Sequence, residues 1–87
     1  MKKRLASILD NAKGAAIDAL KMLLLMKKNK ELVLNMEIDG FTYRSIFLSK
    51  HGDLFVRSIF LGKILDENIE GCSYKVLYSI LDHIDSY

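Results

Sequence analysis

Apolar positions in the first third of the chain recur at helical spacing. Leu5, Ile8, Leu9, Ala12, Ala15, Ala16, Ala19, Leu20, Met22, Leu23 and Met26 fall within one stripe, and no proline interrupts it. A helix over residues 3–28 is therefore predicted, its middle rich in small residues (Ala12, Gly14, Ala15, Ala16, Ala19) that let another element approach closely. Ile17, Leu24 and Leu25 lie off the stripe, so the last turns are apolar on nearly all sides and are expected between two surfaces. Lys27, Lys28 and Lys30 close the helix with cations that suit its C-terminus.

At Glu31 the period falls to two. Leu32, Leu34, Met36 and Ile38 alternate with Glu31, Val33, Asn35 and Glu37, which predicts a strand over 31–38. Asp39-Gly40 follows, a pair that favours the positive φ angles of a type I′ hairpin turn. Strands over 41–49 and 54–61 come next, joined by a tight turn at His51-Gly52. These two strands carry near-copies of one phrase: Arg44-Ser45-Ile46-Phe47-Leu48-Ser49-Lys50 returns as Arg57-Ser58-Ile59-Phe60-Leu61-Gly62-Lys63.

Two-residue turns at both hairpins fix the pairing. Ile38 then faces Phe41, Met36 faces Tyr43 and Leu34 faces Ser45; across the second turn Phe47 faces Val56, Ser45 faces Ser58 and Tyr43 faces Phe60. Those residues form the expected core face. The opposite face gathers Arg44, Ile46, Leu48, Phe55, Arg57 and Ile59 beside Val33, Asn35, Glu37 and Thr42, with Glu37 diagonal to Arg44 for a cross-strand ion pair. Residues 64–71 read as an acidic connector, Ser73 as an N-cap, and residues 74–85 as a last helix burying Leu77, Ile80, Leu81 and Ile84. The predicted class is α+β: a long N-terminal helix, a three-stranded antiparallel β-meander and a C-terminal helix, in one domain over residues 1–87.

This order of elements is similar to that of the double-stranded-RNA-binding domain, in element order alone. That family begins its last helix with a lysine-rich segment, whereas Ser73-Tyr74-Lys75-Val76 holds one lysine and Asp82 and Asp85 follow.

Composition adds a reason to expect association. A domain this short buries only about 60–65% of the surface its unfolded chain exposes. Yet 51% of its 87 residues are hydrophobic, and the single cysteine excludes an internal disulfide. Surplus apolar surface points to a homo-oligomer, most simply a dimer, or to a larger protein partner. Leu24 and Leu25 join the sheet-face residues as expected interface positions.

The net charge of +2 hides an asymmetry: residues 1–30 carry a net +6, residues 31–87 a net −4. Nucleic acid is the alternative partner, through Lys2, Lys3, Arg4, Lys27, Lys28 and Lys30 with Arg44 and Arg57. The longest apolar run, Met22 to Met26, is far short of the roughly 20 residues that span a bilayer. A cytoplasmic protein without membrane contact is expected. Lacking proline and tryptophan and rich in Leu, Ile and Lys, the chain would suit a small phage or plasmid accessory protein, including one that inhibits or redirects a larger enzyme.

Candidate chemistry is sparse. Cys72 precedes a helix N-terminus, where the dipole lowers a thiol pKa, but His83 lies eleven residues on and His51 sits in a turn. His51 reads as a turn residue suited to positive φ, and His83 as a solvent-facing residue between Asp82 and Asp85. Two scattered histidines make no metal site, the acidic residues form no acid–base pair, and five isolated glycines make no phosphate loop. The expectation is a non-enzymatic interaction or regulatory module with no cofactor, no metal and no small-molecule substrate.

Overall fold

The computed structural model describes the backbone of residues 2–85 and the side chains of residues 12–84. Helix α1 (Lys2–Leu25) leads into strands β1 (Glu31–Ile38), β2 (Phe41–Leu48), β3 (Leu54–Phe60) and β4 (Lys63–Asn68). A single 3₁₀ turn (Ile69–Gly71) then connects to helix α2 (Tyr74–Asp85). The strands form one antiparallel sheet in the order β1-β2-β3-β4. Both helices pack on one face of it, giving a two-layer α+β domain. No helix among the described residues is long and apolar enough to cross a membrane.

The sheet has four strands where the sequence predicts three. The missed strand lies in the residues read as a connector, and its turn is Leu61-Gly62, with φ of 51° and 79°. Asp39-Gly40 has the same conformation, φ 50° and 84°, as expected for a type I′ turn. Leucine in the left-handed region is strained, so Leu61 hides a turn that an Asn or Asp would announce.

The second hairpin also departs from expectation. Its loop is Lys50-His51-Gly52, one residue longer than a tight two-residue turn. Ser49 N–H donates to the Asp53 carbonyl at 2.9 Å, and the Ser49 hydroxyl accepts the amides of His51 (3.3 Å) and Asp53 (3.1 Å). Gly52, not His51, takes the positive φ, at 82°.

The extra residue shifts the β2–β3 register by one. Phe47 pairs with Phe55 and Ile46 with Val56, so near the loop Ile46 and Leu48 turn inward while Phe47 turns outward. A bulge at Arg44 then restores the phase, so that Tyr43 pairs with Ser58. Strand β1 is irregular at the same level, with Asn35 at φ 52°. Arg44 and Ser45 consequently both point away from the core.

This corrects three expected interface positions. Ile46 and Leu24 are fully buried, and Leu48 packs against the core from its edge. Ser45 and Phe47, expected inside, lie on the opposite face. Strand β3 keeps its expected alternation, Leu54, Val56 and Ser58 inward and Phe55, Arg57 and Ile59 outward.

Helix α1 is rotated from its predicted orientation. Ile17, Leu20 and Leu24 face the sheet, with Ala16 beside them, while Ala12, Ala15, Ala19, Met22 and Met26 face away. Lys13 contributes to this rotation: its ammonium donates to the carbonyls of Glu70 and Cys72, each at 2.8 Å, and sits 5.2 Å from the Tyr74 ring centroid. Leu5, Ile8 and Leu9 lie outside the described side chains.

Helix α2 follows expectation. Ser73 accepts the Val76 amide on its hydroxyl at 3.3 Å, and Leu77 and Ile80 are fully buried. His83 does not face solvent: its Nε2–H donates to the Leu34 carbonyl on β1 at 2.6 Å.

Because Ile46 anchors the re-phased half of β2, Ile46→Ala should lower unfolding free energy by about 2–4 kcal/mol. The exposed Leu25→Ala should stay within about 0.5 kcal/mol of the parent. Urea titrations followed by circular dichroism compare the two; equal effects would contradict the register.

Candidate functional site

The sheet face away from the helices carries the arginines. Near its middle lies a shallow groove of about 330 Å³ that runs across all four strands. Val33 on β1 and Ile64 on β4 form its apolar ends, 54% and 66% exposed. Arg44, Ser45, Arg57 and Ile59 occupy its floor, with Glu31 and Asn35 at the β1 side.

Arg57 pairs with an acid on the strand that the sequence does not reveal. Its Nε–H donates to Asp66 Oδ1 at 2.8 Å and its Nη2–H to Oδ2 at 3.0 Å, a bidentate pair formed because Asp66 sits directly opposite on β4. Hydrogen bonding from Arg57 is the main cause holding the Asp66 carboxyl below its ordinary value, and the adjacent charge adds to it. The guanidinium carbon also lies 5.0 Å from the Phe47 ring centroid, and Phe47 stacks with Phe55 at 5.7 Å. Asp66 and Phe47 thus hold Arg57 in place, with Phe55 stacked on Phe47 beside them.

Arg44 is different. It is exposed at the bulge, and among the described residues it takes part in no ion pair; the expected bond to Glu37 is not formed. Glu31 is engaged elsewhere, accepting the Ser45 hydroxyl at 3.4 Å. The groove therefore offers one immobilised and one uncommitted guanidinium between apolar ends.

Of the positions expected to form an interface, Arg44, Arg57 and Ile59 meet in this groove and Phe55 flanks it. Leu25 is 62% exposed but belongs to the helical layer, on the other side of the sheet. Lys27, Lys28 and Lys30 are exposed in the segment between α1 and β1, outside the groove. Lys2, Lys3 and Arg4 lie outside the described side chains. Sequence reasoning missed Asp66 and Ile64, since both belong to the unrecognised strand.

Cys72 is buried in the core cluster, beside Ile69 and Leu77. Its thiol donates to the Glu67 carboxylate at 3.3 Å. Burial first, then that carboxylate, pushes its pKa up to about 12, opposite to the direction expected from a helix dipole. Comparison of the chain with protein-family models, curated proteins and solved structures finds no match.

Two titrations test this geometry. Cys72 should resist iodoacetamide at pH 8 in the folded protein and react freely in urea; equal rates would contradict its burial. Since its folded pKa is the higher one, the stability it contributes is complete below the unfolded thiol value and fades as pH rises toward about 12. Asp66 has the opposite sign, its contribution being present above the ordinary carboxylate range and lost as pH falls through the depressed value. Arg57→Gln should move the Asp66 carboxyl titration upward by NMR; an unmoved curve would show that Arg57 does not hold it.

Proposed function

We propose that this protein is a non-enzymatic interaction module whose open sheet face receives a segment of a partner protein. The supporting observation is Arg44: an exposed arginine with no acidic partner among the described residues, set between the exposed Val33 and Ile64 on a face that neither helix covers. The partner segment that fits brings a carboxylate to Arg44 and apolar side chains to the two ends. Arginine beside aromatic and aliphatic side chains is the composition of interface hot spots.

Asp66 weighs for protein over nucleic acid. It places a carboxylate in the same face and occupies the Arg57 fork that a phosphate would need. The exposed lysines at 27, 28 and 30 lie apart from the groove and add no continuous basic track to it.

Selection from a random peptide library displayed against the folded chain should enrich sequences pairing an acidic residue with apolar neighbours. Arg44→Glu and Ile59→Glu should each weaken their binding about tenfold or more, roughly 1.4 kcal/mol, whereas Lys28→Glu should not. Binding that survives both changes would overturn the reading. So would tight, steeply salt-dependent binding of duplex or single-stranded oligonucleotides with no peptide selected.

A further inference from the structure

The two edges of the sheet are unlike each other. At β1 the ladder is irregular near Asn35, and the Leu34 carbonyl is taken by His83 from α2. Irregular backbone and a covering helix are ways of closing a strand edge. At β4 neither device is present. Residues 63–67 are all exposed, including Ile64 (66%) and Leu65 (44%), and the strand is six residues long with regular pairing to β3. Such an edge presents unpaired backbone donors and acceptors beside exposed apolar side chains.

A second copy is the occupant whose chemistry fits. Twofold pairing of identical antiparallel strands keeps both helical layers on the same side only when residues of one face oppose one another. On β4, Lys63, Leu65 and Glu67 point to the helical side, and Ile64, Asp66 and Asn68 to the open side. Few registers satisfy this. Centring the axis on Asp66 sets two aspartates face to face, centring on Glu67 sets two glutamates face to face, and centring on Ile64 leaves only three residues paired. Centring on Leu65 pairs five residues, places Leu65 against its own copy, and brings Lys63 opposite Glu67 twice. Asp66, already neutralised by Arg57, then opposes Ile64.

From this we infer that the chain forms a twofold dimer by β4–β4 pairing, centred on Leu65 and held in register by reciprocal Lys63–Glu67 pairs. The product is an eight-stranded sheet whose outer edges are both β1. Because the irregular backbone at Asn35 and the His83 contact interrupt those edges, assembly stops at two copies. The seam shares Ile64 with the groove around Arg44, but the residues that test it, Lys63, Leu65 and Glu67, lie outside that groove, so either proposal can fail alone.

Sedimentation of the full chain over about 1–300 µM tests it, a short ladder being expected to associate in the micromolar range. Lys63→Glu should weaken dimerisation at least tenfold, and Lys63→Glu with Glu67→Lys should restore it. Leu65→Lys should give a folded monomer, while Arg44→Glu should leave the dimer intact. Glu67 also accepts the Cys72 thiol, so a register test without it is needed in case the exchange variant unfolds. Leu65→Cys serves: at the axis the two Cα atoms lie about 4.5–5.5 Å apart, within disulfide range. Oxidation should link Leu65→Cys rapidly and Asp66→Cys slowly. A monomer throughout the concentration range would overturn the inference, as would a dimer indifferent to Leu65→Lys and Lys63→Glu, or faster linkage at position 66.

Discussion

One extra residue in β2 decides which side chains reach the core. The period of a strand is two, so a single-residue shift in pairing exchanges its faces. The three-residue loop at Lys50-His51-Gly52 imposes such a shift, and the bulge at Arg44 reverses it roughly 20 Å away along the strand, at about 3.3 Å per residue. Between loop and bulge, Ile46 and Leu48 are inside; beyond it, Tyr43 and Phe41 are inside. Without the reversal, the aromatic end of the sheet would turn Phe41 and Tyr43 to solvent. The bulge that protects the core also swings Arg44 and Ser45 together onto the open face. The same backbone irregularity builds the core and exposes the uncommitted arginine.

The duplicated phrase shows how far sequence identity is from structural equivalence. Arg44 and Arg57 both face outward, yet Ser45 is outward and Ser58 inward, Ile46 inward and Ile59 outward, Phe47 outward and Phe60 inward. One copy contains a bulge after its first residue and the other does not. Identical residues therefore serve opposite layers: Phe47 supports Arg57 beneath its guanidinium, while Phe60 stacks on Phe41 at 4.4 Å near the first turn.

Much of this was legible in the residues, and the failures share a cause. Helix α2, strand β1 and the Asp39-Gly40 turn follow from local signals: a serine cap, clean alternation and a turn pair with suitable φ preferences. The class, the antiparallel meander and the open face follow from those. What escaped is whatever a local pattern cannot carry. The β2–β3 loop is set by hydrogen bonds to the Ser49 hydroxyl, which no alternation reveals. The rotation of α1 depends partly on Lys13 finding carbonyls 57 and 59 residues away. Strand β4 is too polar to resemble a strand, since every one of its residues but Asn68 is exposed. Losing β4 also cost Asp66, and with it the reason Arg57 is fixed while Arg44 is not.

The unequal edges connect the size of the domain to its behaviour. A chain of 87 residues has little core to spare, and a four-stranded sheet covered on one side leaves two edges and a face to manage. At β1 they are managed internally, by irregular backbone and a histidine. At β4 the only device is charge, and Lys63, Asp66 and Glu67 discourage indiscriminate strand addition. Charges of both signs do not repel every neighbour alike. They repel strands in most registers and accept one in which each lysine meets a glutamate. In the proposed β4–β4 dimer, a strand patterned this way does more than avoid aggregation: it restricts association to a single geometry, which hydrophobic edge residues such as Leu65 then stabilise.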